Sequence, residues 1–295
     1  MPDYILSCCS SADLSEKKLK DRDIQYICFH VEVGGEHYLD DLGKSMPPEV
    51  LFKRMAEGAM TKTSQVAAGE YLEYFEGFLK QGLDILHITL SSGISGTYNS
   101  AVIAQKELQD KYPDRKLYVV DSRAASSGFG LLVDALADQR DQGKGIDEVY
   151  AWAEEHRLYV HHWFFSTDLT YYIRGGRVSK TAGFVGGLLN ICPLLNVDDG
   201  GFLVPREKSR GKKKVIKRIV EKMREHAENG QAYDKKCFIS HSMCEEDARE
   251  VISLIEQEFP KLKGKIELYD IGATIGCHTG PGTVALFFWG DLRGK

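Results

Sequence analysis

Short apolar runs alternate with amphipathic stretches through the first half of the chain. Tyr4-Ile-Leu-Ser-Cys-Cys9, Ile24-Gln-Tyr-Ile-Cys-Phe29, Asp84-Ile-Leu-His-Ile-Thr-Leu90 and Leu117-Tyr-Val-Val120 have strand length and are bounded by polar turns. Such runs read as buried strands. Helices are predicted over residues 14–21, 49–58, 67–81, 98–108, 128–142 and 146–156. In the third of these, Tyr71, Leu72, Phe75, Phe78 and Leu79 recur at helical spacing, which gives one buried face. Pro47-Pro48 opens the second, where proline is tolerated. Residues 31–39 read as a hairpin around Gly34-Gly35. Residues 61–65, Thr-Lys-Thr-Ser-Gln, read as a polar turn. The alternation predicts an α/β region with a mostly parallel sheet flanked by helices.

The second half is less regular. Strands are predicted over 159–165, 236–241, 265–271 and 284–289, with a hairpin joining 192–197 to 202–204. Residues 168–173 read as a short helix, and residues 181–190, small and apolar, as a buried helix. A helix beginning at Ser209 runs to about residue 228, and an amphipathic helix covers 245–259. Gly276-Cys-His-Thr-Gly-Pro-Gly282 reads as a turn whose glycine content exceeds what a plain connection needs. The boundary between the two α/β regions falls near residue 155, giving 1–155 and 156–295, the second with a mixed or antiparallel sheet.

Three of the four predicted strands of the first region end in hydroxyls, at Ser10-Ser11, Ser91 to Ser95 and Asp121-Ser122, and Thr63-Ser64 stands ahead of its helix. Ligand crevices of open parallel sheets lie at the carboxyl ends of the strands. The stretch from Leu90 to Thr97, Leu-Ser-Ser-Gly-Ile-Ser-Gly-Thr, runs from strand into helix. Unpaired N–H groups and the helix dipole favour an anion at such a junction. A capped helix behind a tight turn, with Ser95 or Thr97 as the cap, explains the same residues.

Composition narrows the chemistry. At 295 residues and 43% hydrophobic content, the chain can build a sizeable core, and its net charge of −5 argues against a general affinity for nucleic acid. Seven cysteines without a C-x-x-C spacing argue against a disulfide framework and for a reducing compartment. No apolar run approaches the roughly 18 residues of a membrane helix, and residues 1–7 lack a basic leader. The chain is expected to be soluble and cytoplasmic, with at most transient contact at a membrane surface.

Ser95 lies in Gly93-Ile-Ser-Gly-Thr97, where a nucleophile elbow would need a second glycine at residue 97. That weakens a serine hydrolase, though Ser95 with His278 keeps an esterase or acyltransferase open as an alternative. His161-His162 are adjacent, so on a strand they face opposite ways, and the expectation is one histidine in the core and one outside. No H-E-x-x-H spacing occurs, no P-loop and no G-x-G-x-x-G after the first strand. The basic run from Arg206 to Arg218 reads as a solvated helix start. His278, between glycines, is positioned to hydrogen-bond a carboxylate.

Taken in order, Thr63-Ser-Gln65, His87 through Tyr98, Val120-Asp-Ser122, Tyr172-Ile-Arg-Gly-Gly-Arg177 and His278-Thr-Gly-Pro-Gly282 resemble the motifs of the DegV family. The resemblance spans essentially the whole chain. It implies a two-domain α/β fold that encloses a long-chain fatty acid between the domains. In members paired with a fatty acid kinase, it implies presentation of the acyl carboxylate to that enzyme. It implies no catalytic residues, no cofactor and no metal in the binding protein itself. By motif match, Thr63 and Ser95 would contact the carboxylate with the Gly96 N–H beside them, and His278 would hold the head group from the other side. Ser64, Ser92 and Thr279 fall in the same motifs, and Arg177 and Arg210 match arginines near the pocket mouth. One position departs: Cys9 stands where the family's first strand usually carries aspartate. For the acyl tail, Phe184, Val185, Leu188, Leu189 and Ile191 are the expected lining. Burying some 14–18 methylenes at about 0.8 kcal/mol each gives a gross driving force above ~10 kcal/mol, so the tail should dominate affinity and the head group should set orientation.

Overall fold

The structure, a computed structural model, describes residues 4–179 and 191–294. In chain order the first half contains β1 (Tyr4–Cys9), α1 (Glu16–Asp21), β2 (Ile24–Ile27), β3 (His30–Val33), β4 (Glu36–Leu39), α2 (Pro48–Ala56) and β5 (Thr61–Ser64). It continues with α3 (Ala68–Leu79), β6 (Asp84–Thr89), α4 (Thr97–Lys111), β7 (Leu117–Asp121), α5 (Ser126–Asp141) and α6 (Ile146–His156). The second half contains β8 (Val160–Ser166), α7 (Thr170–Arg174), β9 (Ile191–Val197), β10 (Leu203–Arg210) and α8 (Lys212–His226). It closes with β11 (Cys237–His241), α9 (Glu245–Glu258), β12 (Glu267–Asp270), α10 (Ala273–Thr279) and β13 (Thr283–Trp289).

The apolar runs of the first half pair as a four-stranded sheet in the order β2-β1-β6-β7, parallel throughout. Local signals set the flanking helices. Ser15 caps α1 by accepting from the Lys18 N–H, and the Glu70 carboxylate accepts from the Ala67 N–H at the start of α3. The second sheet has the order β10-β9-β8-β13-β11-β12 and is mixed, since only β11 and β12 run parallel. Helix α5 lies between the two sheets, buried from Ser126 to Ala137, and one apolar cluster runs through both. Helices α8 and α9 cover the far face of the second sheet.

A third sheet, β4-β3-β5, is antiparallel and corrects the reading of residues 61–65 as a turn. Alternation is present there, but in hydroxyls. Thr61 donates to the Cys277 carbonyl at 3.1 Å and Thr63 meets His278, while Lys62 and Ser64 face solvent. A strand that faces polar groups on one side and water on the other carries no apolar period to read. Residues 276–279 are likewise helix α10, and only the residues after it turn, with Gly280 at φ +65°. Gly276 is needed for close approach: a side chain there would collide with Phe52 and Leu51 of α2. Strand β10 extends to Arg210, paired with Ile191, so α8 starts at Lys212 and not at Ser209. His161 and His162 are both buried, because α8 roofs the face that the sequence leaves to solvent. The predicted helix over 181–190, with Phe184, Val185, Leu188 and Leu189, lies outside the described residues. All seven cysteines are free thiols.

Gly128 fixes how closely α5 approaches the second sheet. A methyl group there would strike the His162 and Phe287 rings, both of them buried. Gly128→Ala is expected to destabilise the fold by about 1–3 kcal/mol, in the range of overpacked cores. The urea midpoint reads this directly, and an unchanged midpoint would show that the sheets separate easily.

Candidate functional site

The carboxyl end of β6 leads into the turn Leu90–Gly96 and then α4. The turn is ordered from within: the Ser95 and Ile94 N–H groups both donate to the Ser91 carbonyl, at 3.1 and 3.2 Å. The hydroxyl of Ser91 donates to the Gly201 carbonyl at 2.9 Å, so the β9–β10 connection buttresses the turn. Ser95 Oγ accepts from the Thr97 N–H at 3.2 Å, which makes it the side-chain oxygen at the helix start. Beneath it, Thr97 Oγ1 lies 2.9 Å from the Tyr71 hydroxyl, which in turn lies 3.2 Å from Cys9 Sγ. Burial pushes the Cys9 thiol up to about 11, so a neutral thiol stands in this buried chain of polar groups, which continues through His87 Nε2, 3.8 Å from Sγ.

From the opposite side, β5 and α10 bring Thr63 and His278 together, with Oγ1 and Nε2 2.7 Å apart. The imidazole is pressed against Gly175, where any side chain would displace it. Burial first, and then the Arg177 guanidinium, lower the His278 pKa to about 4. The ring is therefore neutral at pH 7 and holds its proton on one nitrogen. Arg177 donates to the Ile94 carbonyl at 3.3 Å and the Gly175 carbonyl at 2.6 Å, tying the turn after α7 to the turn after β6. Among the described residues no carboxylate pairs with it.

Between these groups and the second sheet lies a cavity of about 170 Å³. Its polar rim holds Thr63, Ser95, Gly96, Arg177, His278 and Thr279. Its interior is lined by Phe29, Leu90, Ile94, Phe164, Tyr172, Val197, Leu203, Ile271 and Phe287. Three other residues picked out by motif stand apart from it. Ser64 points to solvent on β5, Ser92 gives its hydroxyl to Asp121 at 2.6 Å, and Arg210 is exposed at the end of β10. Ile191, at the start of β9, is outside the lining as well. Sequence reasoning missed Gln65, Ser126, Thr274 and Thr283 on the polar side, and the apolar wall of the second sheet. The wall had a signal: His162 and Phe164, like Thr283, Ala285 and Phe287, occur every second residue and so share one face.

The arrangement suits anion capture at the mouth of an apolar hole. Hydroxyls, a neutral imidazole and a guanidinium with no carboxylate partner among the described residues are hydrogen-bond donors for a carboxylate, and the walls suit a hydrocarbon. Among the described residues Ser95 and His278 share no hydrogen bond, since Ser95 Oγ accepts from the Thr97 N–H and His278 Nε2 meets Thr63, so no nucleophile–base pair is formed. The esterase alternative has no support in this geometry.

A parallel sheet, a mixed sheet and a small antiparallel sheet together surround an apolar cavity with a polar mouth, and they define an α/β protein with an internal pocket. The chain belongs to the DegV family: the family model described as "Uncharacterised protein, DegV family" matches residues 9–291. A DegV domain-containing protein of Clostridium perfringens is 39% identical over 293 residues, covering 99% of each chain. The solved structure of a DegV lipid binding protein from Thermotoga maritima superposes with a TM-score of 0.81 at 30% identity, over 98% of this chain and 99% of that one. A Thermus thermophilus structure described as "Fatty Acid Binding of a DegV family Protein" gives 0.83 at 26% identity, over 98% and 99%.

Proposed function

We propose that this protein binds a long-chain fatty acid, tail inward, and presents the carboxylate to a separate fatty acid kinase. The observation that carries the reading is the rim itself. Thr63, His278, Ser95 and Arg177, which has no carboxylate partner among the described residues, converge where the apolar cavity meets the surface. Lipid or fatty acid binding by the Thermotoga and Thermus relatives supports the ligand class. Gly96 is exposed and Ser95, Thr63 and His278 are half-buried, so a carboxylate held there stays within reach of a second protein. No helix among the described residues is long and apolar enough to cross a membrane, which fits a carrier working in the cytoplasm and meeting membranes only at their surface. The protein is read as a binding protein, with no catalytic group of its own and no cofactor beyond the lipid.

Mass spectrometry of gently denatured purified protein tests the reading. A co-purified C14–C18 acid in near one-to-one ratio is expected. An empty protein that also takes up no added fatty acid would overturn it.

A further inference from the structure

On the far side of the second sheet, three groups converge that the fatty-acid site does not use. His161 stands on β8, His226 is the last residue of α8, and Asp291 follows β13. One donor atom from each lies within 4.8 Å of the other two. His161 Nε2 is 2.9 Å from Asp291 Oδ1 and 2.9 Å from the Asp291 carbonyl oxygen. His226 Nδ1 is 3.2 Å from Asp291 Oδ1.

The backbone builds this convergence. The Asp291 N–H donates to the His226 carbonyl at 3.0 Å, the Glu228 N–H to the Trp289 carbonyl at 3.1 Å, and the Gly290 N–H to the Tyr159 carbonyl at 2.8 Å. A side chain at Gly290 would collide with the His226 carbonyl and the His161 ring. The rings are held as well. His161 stacks on Phe288 and His226, with centroids 5.3 and 4.9 Å away, and His226 stacks on Trp163 at 5.7 Å. The neighbouring Arg293 gives its N–H groups to the carbonyls of Leu158, Asp198 and Arg123, which leaves the Asp291 carboxylate to the imidazoles.

We propose that His161, His226 and Asp291 form a binding site for a divalent transition metal of the zinc class. Two imidazoles and one carboxylate match the borderline donor set of zinc, whereas calcium and magnesium take oxygen ligands. Zinc bonds of ~2.0–2.1 Å place tetrahedral donors about 3.3 Å apart. The observed 2.9 and 3.2 Å are hydrogen-bonded spacings that open by a few tenths of an ångström when a metal replaces the proton. The site sits at the C-terminal end of α8, where the helix dipole favours a cation. The Asp291 side chain is 58% exposed, which leaves room for water to complete the coordination sphere. A metal here pins the end of α8 to the start of β8 and to the chain leaving β13.

The test uses the full-length protein after chelator treatment, titrated with Co²⁺ as the optical probe and then with Zn²⁺. One equivalent of Co²⁺ is expected, with the visible bands of a tetrahedral N/O site, no near-ultraviolet thiolate band, and displacement by Zn²⁺. His226→Ala and Asp291→Asn should each weaken binding by at least the roughly tenfold that loss of even an outer-shell partner costs. Asp291→Asn is half-exposed and isosteric, so it keeps the test decisive if His226→Ala misfolds. Failure to bind one equivalent, a thiolate band, or affinity unchanged in Asp291→Asn would overturn the site. Fatty acid content is measured alongside and should not change, which separates this result from the carrier reading.

Discussion

A His278→Ala variant is expected to purify with its fatty acid yet to give acyl phosphate roughly ten- to a hundredfold more slowly with a fatty acid kinase. The two effects separate because they depend on different parts of the ligand. Tail burial contributes a gross ~10 kcal/mol or more, whereas a net hydrogen bond contributes about 1 kcal/mol. Removing one head-group partner therefore leaves the protein loaded. On the proposed reading, a bond from His278 to a carboxylate would also replace the one it already makes to Thr63, which trims its net worth further. Orientation is more sensitive. Without the imidazole, the carboxylate can settle on Ser95 or Thr63 alone, and a displacement of about 1 Å can cost on the order of a hundredfold in a transfer reaction. Bound lipid by mass spectrometry and acyl phosphate formation are measured on the same preparation. Retention lost in step with turnover would show that His278 anchors the ligand as a whole and does not aim it.

The same residues show what a sequence discloses. The parallel sheet was legible because β1, β6 and β7 are short, largely apolar runs buried on both faces and separated by clear helical patterns. The Ser91–Gly96 turn was legible because it falls between a clear strand and a clear helix. Strand β5 was hidden, since its buried partners are Cys277 and His278 of a distant helix, so Thr61 and Thr63 look like turn residues until α10 is in place. The glycines of α10 misled for a related reason. Gly276 serves close packing against α2, which sequence alone does not distinguish from turn-making. The tail lining was expected at Phe184, Val185, Leu188, Leu189 and Ile191; the first four lie outside the described residues, and much of the second-sheet lining that is described comes from alternate residues of β8 and β13. Cys9 is a further case. Its place in the chain of polar groups under Ser95 depends on Tyr71, 62 positions away, and no local pattern connects them. With a neutral thiol among its members, that chain orders the Thr97 hydroxyl without adding a negative charge beneath the proposed carboxylate site.

Between pH 7 and pH 4, a His87→Gln variant is expected to lose about 3 kcal/mol less stability than the parent protein. His87 lies in the middle of β6, wholly buried, with Nδ1 2.9 Å from Ser7 Oγ and its ring edge-on to Phe75 and Tyr71. Burial holds the imidazole neutral and lowers its pKa from 6.5 to about 3. The unfolded chain takes up the proton first, so the stability owed to neutral His87 is complete above about pH 6.5 and drains away as pH falls toward 3. At about 1.36 kcal/mol per pH unit, the interval from 6.5 to 4 removes roughly 3 kcal/mol. His278 acts in the same sense down to about pH 4. Asp13 acts in the opposite sense: burial raises its carboxyl, so the folded chain binds that proton before the unfolded one does. The parent's curve therefore sums opposing contributions, and only its difference from the variant isolates His87. Glutamine keeps an amide within reach of Ser7 and cannot titrate. Urea unfolding at a series of pH values gives both curves. Curves that run parallel between pH 7 and 4 would mean that His87 is protonated in the folded state, with an acceptor or water admitted to the core of the parallel sheet.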